Sequence, residues 1–378
     1  MTSGQESSKH GAFTASIAGV ESLAGVVHPH AIEVQDFSHY ALVIDVRPRA
    51  SYEEDHIPGA IQVTPPRPSN GPLTASDVDA VSPLGFIAKE RGANKMLPAE
   101  LASLVEKIKL DQAILVYCGR GGLDSLPLVT ALRSHGWTVD VLPGGWINYR
   151  RWVQAGLEVL PRLIAFRVIA SSLGSEAVRV LHALREAGHQ VLDVEGLAGW
   201  RHGSVVALEA AQPPQAWFES QLLQSLRGFD PRLPVWIGDT DQHLGSLVLP
   251  GALSDALTIA PTAVLDAPLQ ERIQCWREDE PVLGDEHLGI VKAVASSASP
   301  PDAGLLARWH QLAAEGASDL LPSLLREHFD ATYAARSELR CPHRHALPPL
   351  RVPSLAPASI AAALREWLPC RDPTEATD

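Results

Sequence analysis

Apolar and polar positions along the chain divide it into short strands and amphipathic helices in regular succession. The run at 41–44 predicts a buried strand, and it ends in Asp45-Val46-Arg47-Pro48. His56-Ile57-Pro58-Gly59-Ala60-Ile61 reads as a turn leading into a second short strand. Residues 64–97 are rich in Pro, Ser, Gly and Asn and predict loop with a short helix, while 98–109 carry helical spacing. Residues 113–117 are apolar at nearly every position, as a strand of a parallel sheet covered on both faces must be. A helix over 125–135 stopped by Gly136 and a strand over 138–142 complete the unit.

Near 154–162 the pattern restarts. Residues 164–170 predict a strand, 176–187 a helix stopped by Gly188, and 191–194 a further strand, with later strands at 234–237 and 263–265. This β-loop-α-β succession argues open parallel α/β sheets in two domains. The expected divisions are a flexible leader over 1–30, a first α/β domain over 31–157 and a second over 158–340. A Pro-rich tail over 341–378 follows, with a short helix near 359–368. No internal repeat is visible.

Length supports the same division, because 378 residues exceed one ordinary core. With 46% hydrophobic and 20% charged residues, each domain can bury an interior. No stretch of about 18 uninterrupted apolar residues predicts a membrane span. The first 28 residues carry no basic start followed by an apolar run, so no secretory signal is indicated. The four cysteines (118, 275, 341 and 370) make no disulfide framework, and a cytoplasmic location is expected. A net charge of −13 runs against nucleic acid as a partner, whose phosphates are usually met by a basic footprint. Arg150, Arg151, Arg162 and Arg167 are a candidate local patch, though ordinary solvated charges are the plainer reading.

The chemistry concentrates at Cys118. It follows the 113–117 strand and is succeeded by Gly119-Arg120-Gly121-Gly122-Leu123-Asp124. Ligands of open α/β sheets bind beyond the carboxyl ends of strands. Glycines let successive amides turn toward one atom, and helix onset and Arg120 add positive potential. That combination favours a thiolate and would cradle a persulfide or selenide anion. Cys118 is the candidate nucleophile, Gly119, Arg120, Gly121, Gly122 and Leu123 the candidate anion-holding loop, and Asp45 and Arg47 its supports. Elsewhere Asp239 and Asp241 read as a solvated turn. Cys341, His343 and His345 fit no standard zinc spacing, so no metal site is assigned. Trp146, Trp152 and Trp200 read as core aromatics.

Asp45-Val46-Arg47, His56-Ile57-Pro58-Gly59-Ala60, the cysteine loop and Leu142-Pro143-Gly144-Gly145-Trp146 occur in the order of a rhodanese domain. Cys-x-Arg-Gly-Gly, with Gly144-Gly145 followed by Tyr149-Arg150, resembles bacterial tRNA 2-selenouridine synthase in particular. The likeness extends over roughly 30–337. It takes in Glu186-Ala187-Gly188-His189-Gln190-Val191-Leu192-Asp193, Gln212-Pro213, the run from Leu265 to Arg272 and the run from Leu324 to Asp330. The resemblance implies a rhodanese domain joined to a P-loop-like domain. It also implies exchange of sulfur for selenium in 2-thiouridine at the tRNA wobble position. The implied co-substrates are selenophosphate and geranyl diphosphate, neither bound tightly, and the implied partners are tRNA and a sulfur- or selenium-donor protein.

The phosphate loop departs from that pattern. Gly-x-x-x-x-Gly-Lys-Ser/Thr wraps phosphates in amides, neutralises them with Lys and meets magnesium with a hydroxyl. Here Ala170 and Glu176 stand at the two glycines, Gly174 and Ser175 between them, Ala177 at the lysine and Val178 at the hydroxyl residue. A second motif reads Gly238-Asp239-Thr240-Asp241-Gln242-His243-Leu244-Gly245 and lacks the family's basic residues. Asp124 replaces an arginine of the cysteine loop. Each change removes a cation or adds an anion. The expectation is therefore a transferase acting through Cys118 with its P-loop-dependent step lost. The alternatives are a paralogue limited to rhodanese chemistry and an inert interaction protein.

Overall fold

The computed structural model describes residues 37–64, 101, 105, 107–120, 124–200, 212–279, 287–296, 300–316, 318–340 and 347–368. Two compact units divide between Trp152 and Val153. Both are α/β, with parallel sheets.

The first unit contains β1 (Leu42–Asp45), β2 (Ile61–Gln62), β3 (Ala113–Tyr117) and β4 (Thr138–Val141), in the sheet order β2-β1-β3-β4. All three pairings are parallel, with Asp45 opposite Tyr117 and Val116 opposite Val141. β3 is central, and Ile114, Leu115, Val116 and Tyr117 are each fully buried. That is why its sequence shows no alternation. Val129 and Leu132 of the helix Leu126–Ser134 pack on it, and Gly136 stops that helix at φ +96°. Leu101 and Val105 belong to the same core. The expected loop and short helix over 65–97 lie outside the described residues.

The second unit holds β5 (Phe166–Ser171), β6 (Gln190–Leu192), β7 (Val235–Gly238), β10 (Thr262–Asp266) and β11 (Leu350–Arg351), in the order β11-β10-β5-β7-β6, all parallel. A small antiparallel hairpin, β8 (His243–Leu244) with β9 (Leu247–Val248), stands apart from this sheet. A separate helical cluster is built on Trp309, Leu320, Leu324 and Leu325, with Trp276 and Val291 against them.

The segment expected as a Pro-rich tail is part of the second core. Leu350 pairs into the sheet, and Val352, Leu355, Ile360, Leu364 and Trp367 bury against Ile169, Leu184 and Trp236. The prolines bound the two-residue strand and open the helix Pro357–Trp367. The expected helix is present, docked on the helix Ala177–Glu186 side of the sheet.

Candidate active site and a second strand–loop–helix site

At the carboxyl end of the first sheet, β1 and β3 deliver Asp45 and Tyr117 side by side. Asp45 is fully buried, and Arg47 is 7% exposed. The Arg47 amide donates to Asp45 Oδ1 at 2.8 Å, and its Nη2 donates to Oδ2 at 2.7 Å. Nε of Arg47 completes a fork at 3.0 Å from Oδ2, and Nη2 also reaches the Asp55 carbonyl at 2.5 Å. The Tyr117 hydroxyl donates to Asp45 Oδ2 at 2.7 Å and accepts from the Ile57 amide at 3.2 Å. Burial, then the Asp45 charge, pushes the Tyr117 phenol well above its ordinary range, so it remains a donor. Arg150 pairs with Asp55 at 3.0 Å. Asp45 and Arg47 thus brace the strand ends against one another.

Cys118 follows β3 directly. It is 2% exposed and packs within the apolar core that contains Val46, Val116 and Leu128. Its carbonyl accepts from the Trp146 amide at 2.8 Å, and Gly119's from Ile147 at 3.4 Å. Arg120 and Asp124 are exposed, whereas Gly121, Gly122 and Leu123 lie outside the described residues. The Arg47 guanidinium lies 3.6 Å from the centre of the Trp146 ring. Neither Tyr117 nor Trp146 was singled out by the sequence as serving this site. The signal was adjacency to Cys118 for one and to the Gly144-Gly145 turn for the other.

In the second unit the loop after β5 precedes the helix Ala177–Glu186. Gly174 sits at φ +76°, where a Cβ would lie 2.6 Å from the Arg272 carbonyl oxygen. Glu176 is at φ +49°, the one non-glycine with positive φ among the described residues. Its conformation is the one that a glycine supplies without steric cost. Arg272 donates to the Leu173 carbonyl through Nε at 3.0 Å and Nη2 at 2.9 Å. The same guanidinium forks onto Asp330 at 2.6 and 3.1 Å. Ala170 is buried within β5, while Ala177 and Val178 open the helix.

A cleft of about 350 Å³ lies beside this loop. Glu176, Asp193, Glu195 and Asp239 line it, with Trp200, and no Lys or Arg is among its described lining residues. Asp239 accepts from the Tyr333 hydroxyl at 2.6 Å. The Gln212 side chain ties Leu244 O (2.8 Å) and Ala198 O (3.1 Å) to the Ser246 amide (2.7 Å). Gly245, at φ +63°, lies so close to Gln212 and Trp200 that a Cβ there would collide with both.

Other candidates resolve plainly. Of the candidate basic patch, Arg150 pairs with Asp55, Arg162 with Glu158, and Arg167 lies 5.6 Å from the Trp236 ring centre, while Arg151 is exposed. Trp152 is half-buried and packs edge-on to Phe37 at 5.9 Å, and Trp200 is half-buried at the cleft. Among the described residues no group of three His, Cys, Asp or Glu side chains is disposed to hold a metal. Cys341, His343 and His345 lie outside them. Also among the described residues, no helix is long and apolar enough to cross a membrane.

A cysteine loop at the carboxyl end of a central parallel strand, ahead of a strand–loop–helix unit on a second parallel sheet, defines a rhodanese-like domain coupled to a P-loop-like α/β domain. Residues 31–151 match the rhodanese-like domain, and residues 164–283 match the tRNA 2-selenouridine synthase AAA domain. Across both regions the chain is similar to tRNA 2-selenouridine synthases. It is 25% identical to a tRNA 2-selenouridine synthase of Nitrosomonas europaea over 63% of each chain. Against that of Hydrogenovibrio crunogenus it is 28% identical over 44% of this chain and 46% of the relative. The enzyme of Cronobacter sakazakii is 27% identical over 65% of this chain and 69% of its own. The chain therefore spans less than two thirds of the length of the first two relatives.

Proposed function

We propose that this protein is a sulfur- or selenium-transferring enzyme that carries the chalcogen on Cys118. The observation that supports it is Cys118 at the end of β3, entering a loop of glycines and Arg120, with the neighbouring strand end pinned by Asp45 and Arg47. In the thiosulfate assay the Cys118 thiolate attacks the outer sulfur, the S–S bond breaks and sulfite leaves with the electron pair. Cyanide then takes the terminal sulfur of the persulfide, giving thiocyanate and restoring the thiolate. The acceptor suggested by the relatives' names is tRNA. By resemblance the acceptor group is 2-thiouridine and the selenium source selenophosphate, delivered by solution or by a donor protein.

Two observations favour a narrower second reading, a paralogue that keeps sulfur transfer or only a regulatory role. Cys118 is 2% exposed, and the cleft beside the strand–loop–helix turn of the second unit is lined by four acidic residues and His182. Like charge and lost cations oppose geranyl diphosphate there. The test is thiosulfate:cyanide transfer by wild type and Cys118→Ala, with mass spectrometry of the loop peptide. We expect turnover and an adduct of roughly +32 (sulfur) or +80 (selenium) in wild type alone. Equal background rates and an unmodified peptide would remove the carrier role.

A further inference from the structure

We infer that Tyr117 and Trp146 are positioning residues for Cys118, fixing the backbone from which the thiol projects; this rests on the reading of Cys118 as the chalcogen carrier. Tyr117 is the residue immediately before the thiol. Its hydroxyl is held at both ends, by Asp45 Oδ2 at 2.7 Å and by the Ile57 amide at 3.2 Å, so the side chain is fixed far from its own backbone. Its backbone carbonyl accepts from Val46 at 3.0 Å. The backbone amide of Trp146, whose indole is seated against Arg47, donates to the next carbonyl, that of Cys118, at 2.8 Å. The two rings stand nearly parallel, 19° apart with centres 6.1 Å distant. Cys118 is thus flanked by one residue anchored to the Asp45 carboxylate and one anchored beneath the Arg47 guanidinium.

Charge accounting separates these roles from that of Arg47. Its fork is consumed by Asp45, which is fully buried, and its flat face covers Trp146. A guanidinium so neutralised contributes little net field to a thiolate; what it transmits is geometry, by seating the indole of Trp146, whose backbone amide holds the Cys118 carbonyl. A nucleophile displaced by a fraction of an ångström from the dipoles meant to hold its charge loses part of their stabilisation. Loss of either anchor is therefore read as a less acidic thiol, beyond any loss of fold.

The experiment measures the pH dependence of Cys118 alkylation by iodoacetamide, read by mass spectrometry of the loop peptide, beside sulfur transfer. The variants are Tyr117→Phe, Trp146→Ala and Trp146→Phe. Tyr40→Phe is the control, because it removes a comparable hydroxyl contact with a buried carboxylate, Asp140 at 3.0 Å, ahead of β1. Tyr117→Phe and Trp146→Ala are expected to raise the alkylation midpoint by about one pH unit, roughly tenfold in thiolate at neutral pH. Trp146→Phe should restore most of the shift, and Tyr40→Phe should leave it in place. Midpoints of the first two variants that coincide with those of wild type and Tyr40→Phe would overturn the inference. Alkylation needs no turnover, so absence of sulfur transfer in wild type would instead count against the carrier reading alone.

Discussion

The carboxyl ends of the two sheets pose the same local problem and answer it with different chemistry. Each places a loop between a buried parallel strand and a helix, and each braces that end with an arginine forked onto an aspartate. In the first unit Arg47 and Asp45 are 7% and 0% exposed, and the loop beyond them carries a nucleophile and a cation. In the second, Arg272 grips the Leu173 carbonyl and Asp330, yet the loop it steadies presents Glu176 in place of a glycine. Gln212, Gly245, Arg272 and Asp330 all hold framework. Positions 176–178 are Glu, Ala and Val, where the P-loop pattern has Gly, Lys and Ser or Thr. The bracing is thus alike in the two units, whereas the residues that follow each loop differ in charge and polarity.

That contrast can be broken at its supports. Arg47→Ala leaves the Asp45 carboxylate buried without its fork, and we expect a loss of about 3–5 kcal/mol in the first unit. Asp330→Asn should cost less, because Asp330 is 31% exposed and water can reach the remaining partner. Calorimetry of the intact chain measures both, and equal losses would contradict the ranking by burial. Gly174→Ala tests how closely the second loop is held. A Cβ 2.6 Å from backbone, at φ +76°, should destabilise by roughly 2–3 kcal/mol, measured as a shift in urea midpoint with unchanged slope. Glu176→Gly sharpens the comparison from the opposite side. Relief of the left-handed conformation should stabilise the protein by about 1 kcal/mol, seen as a small rise in Tm. A fall would mean that the glutamate's contacts outweigh its backbone cost.

Much of this framework could be read from the chain. The run Ala113–Tyr117 is apolar because both faces of a central parallel strand are covered, and the helix stops at Gly136 and Gly188 follow from positive φ. The α/β class and the place of Cys118 at a strand end came from the same logic. What stayed hidden was long-range. Leu350–Arg351 is too short for a period of two to register, and its flanking prolines resemble a tail until Leu265 is found opposite Leu350. The hairpin at His243–Leu244 sits in a motif whose charges drew attention away from its shape. Tyr117 with Asp45, and Arg47 with Trp146, depend on three-dimensional neighbours that no local pattern encodes.

The edge position of β11 carries a consequence for biosynthesis. β10 is complete at Asp266, but the strand that covers its outer side begins at Leu350, roughly 80 residues later. At translation rates of about 5–20 residues per second, that side stays open on the order of 10 s while the ribosome continues. The second unit thus reaches its finished sheet only after the helix Pro357–Trp367 has emerged and folded back. During that interval a bare parallel edge invites chaperone capture or mispairing between nascent chains.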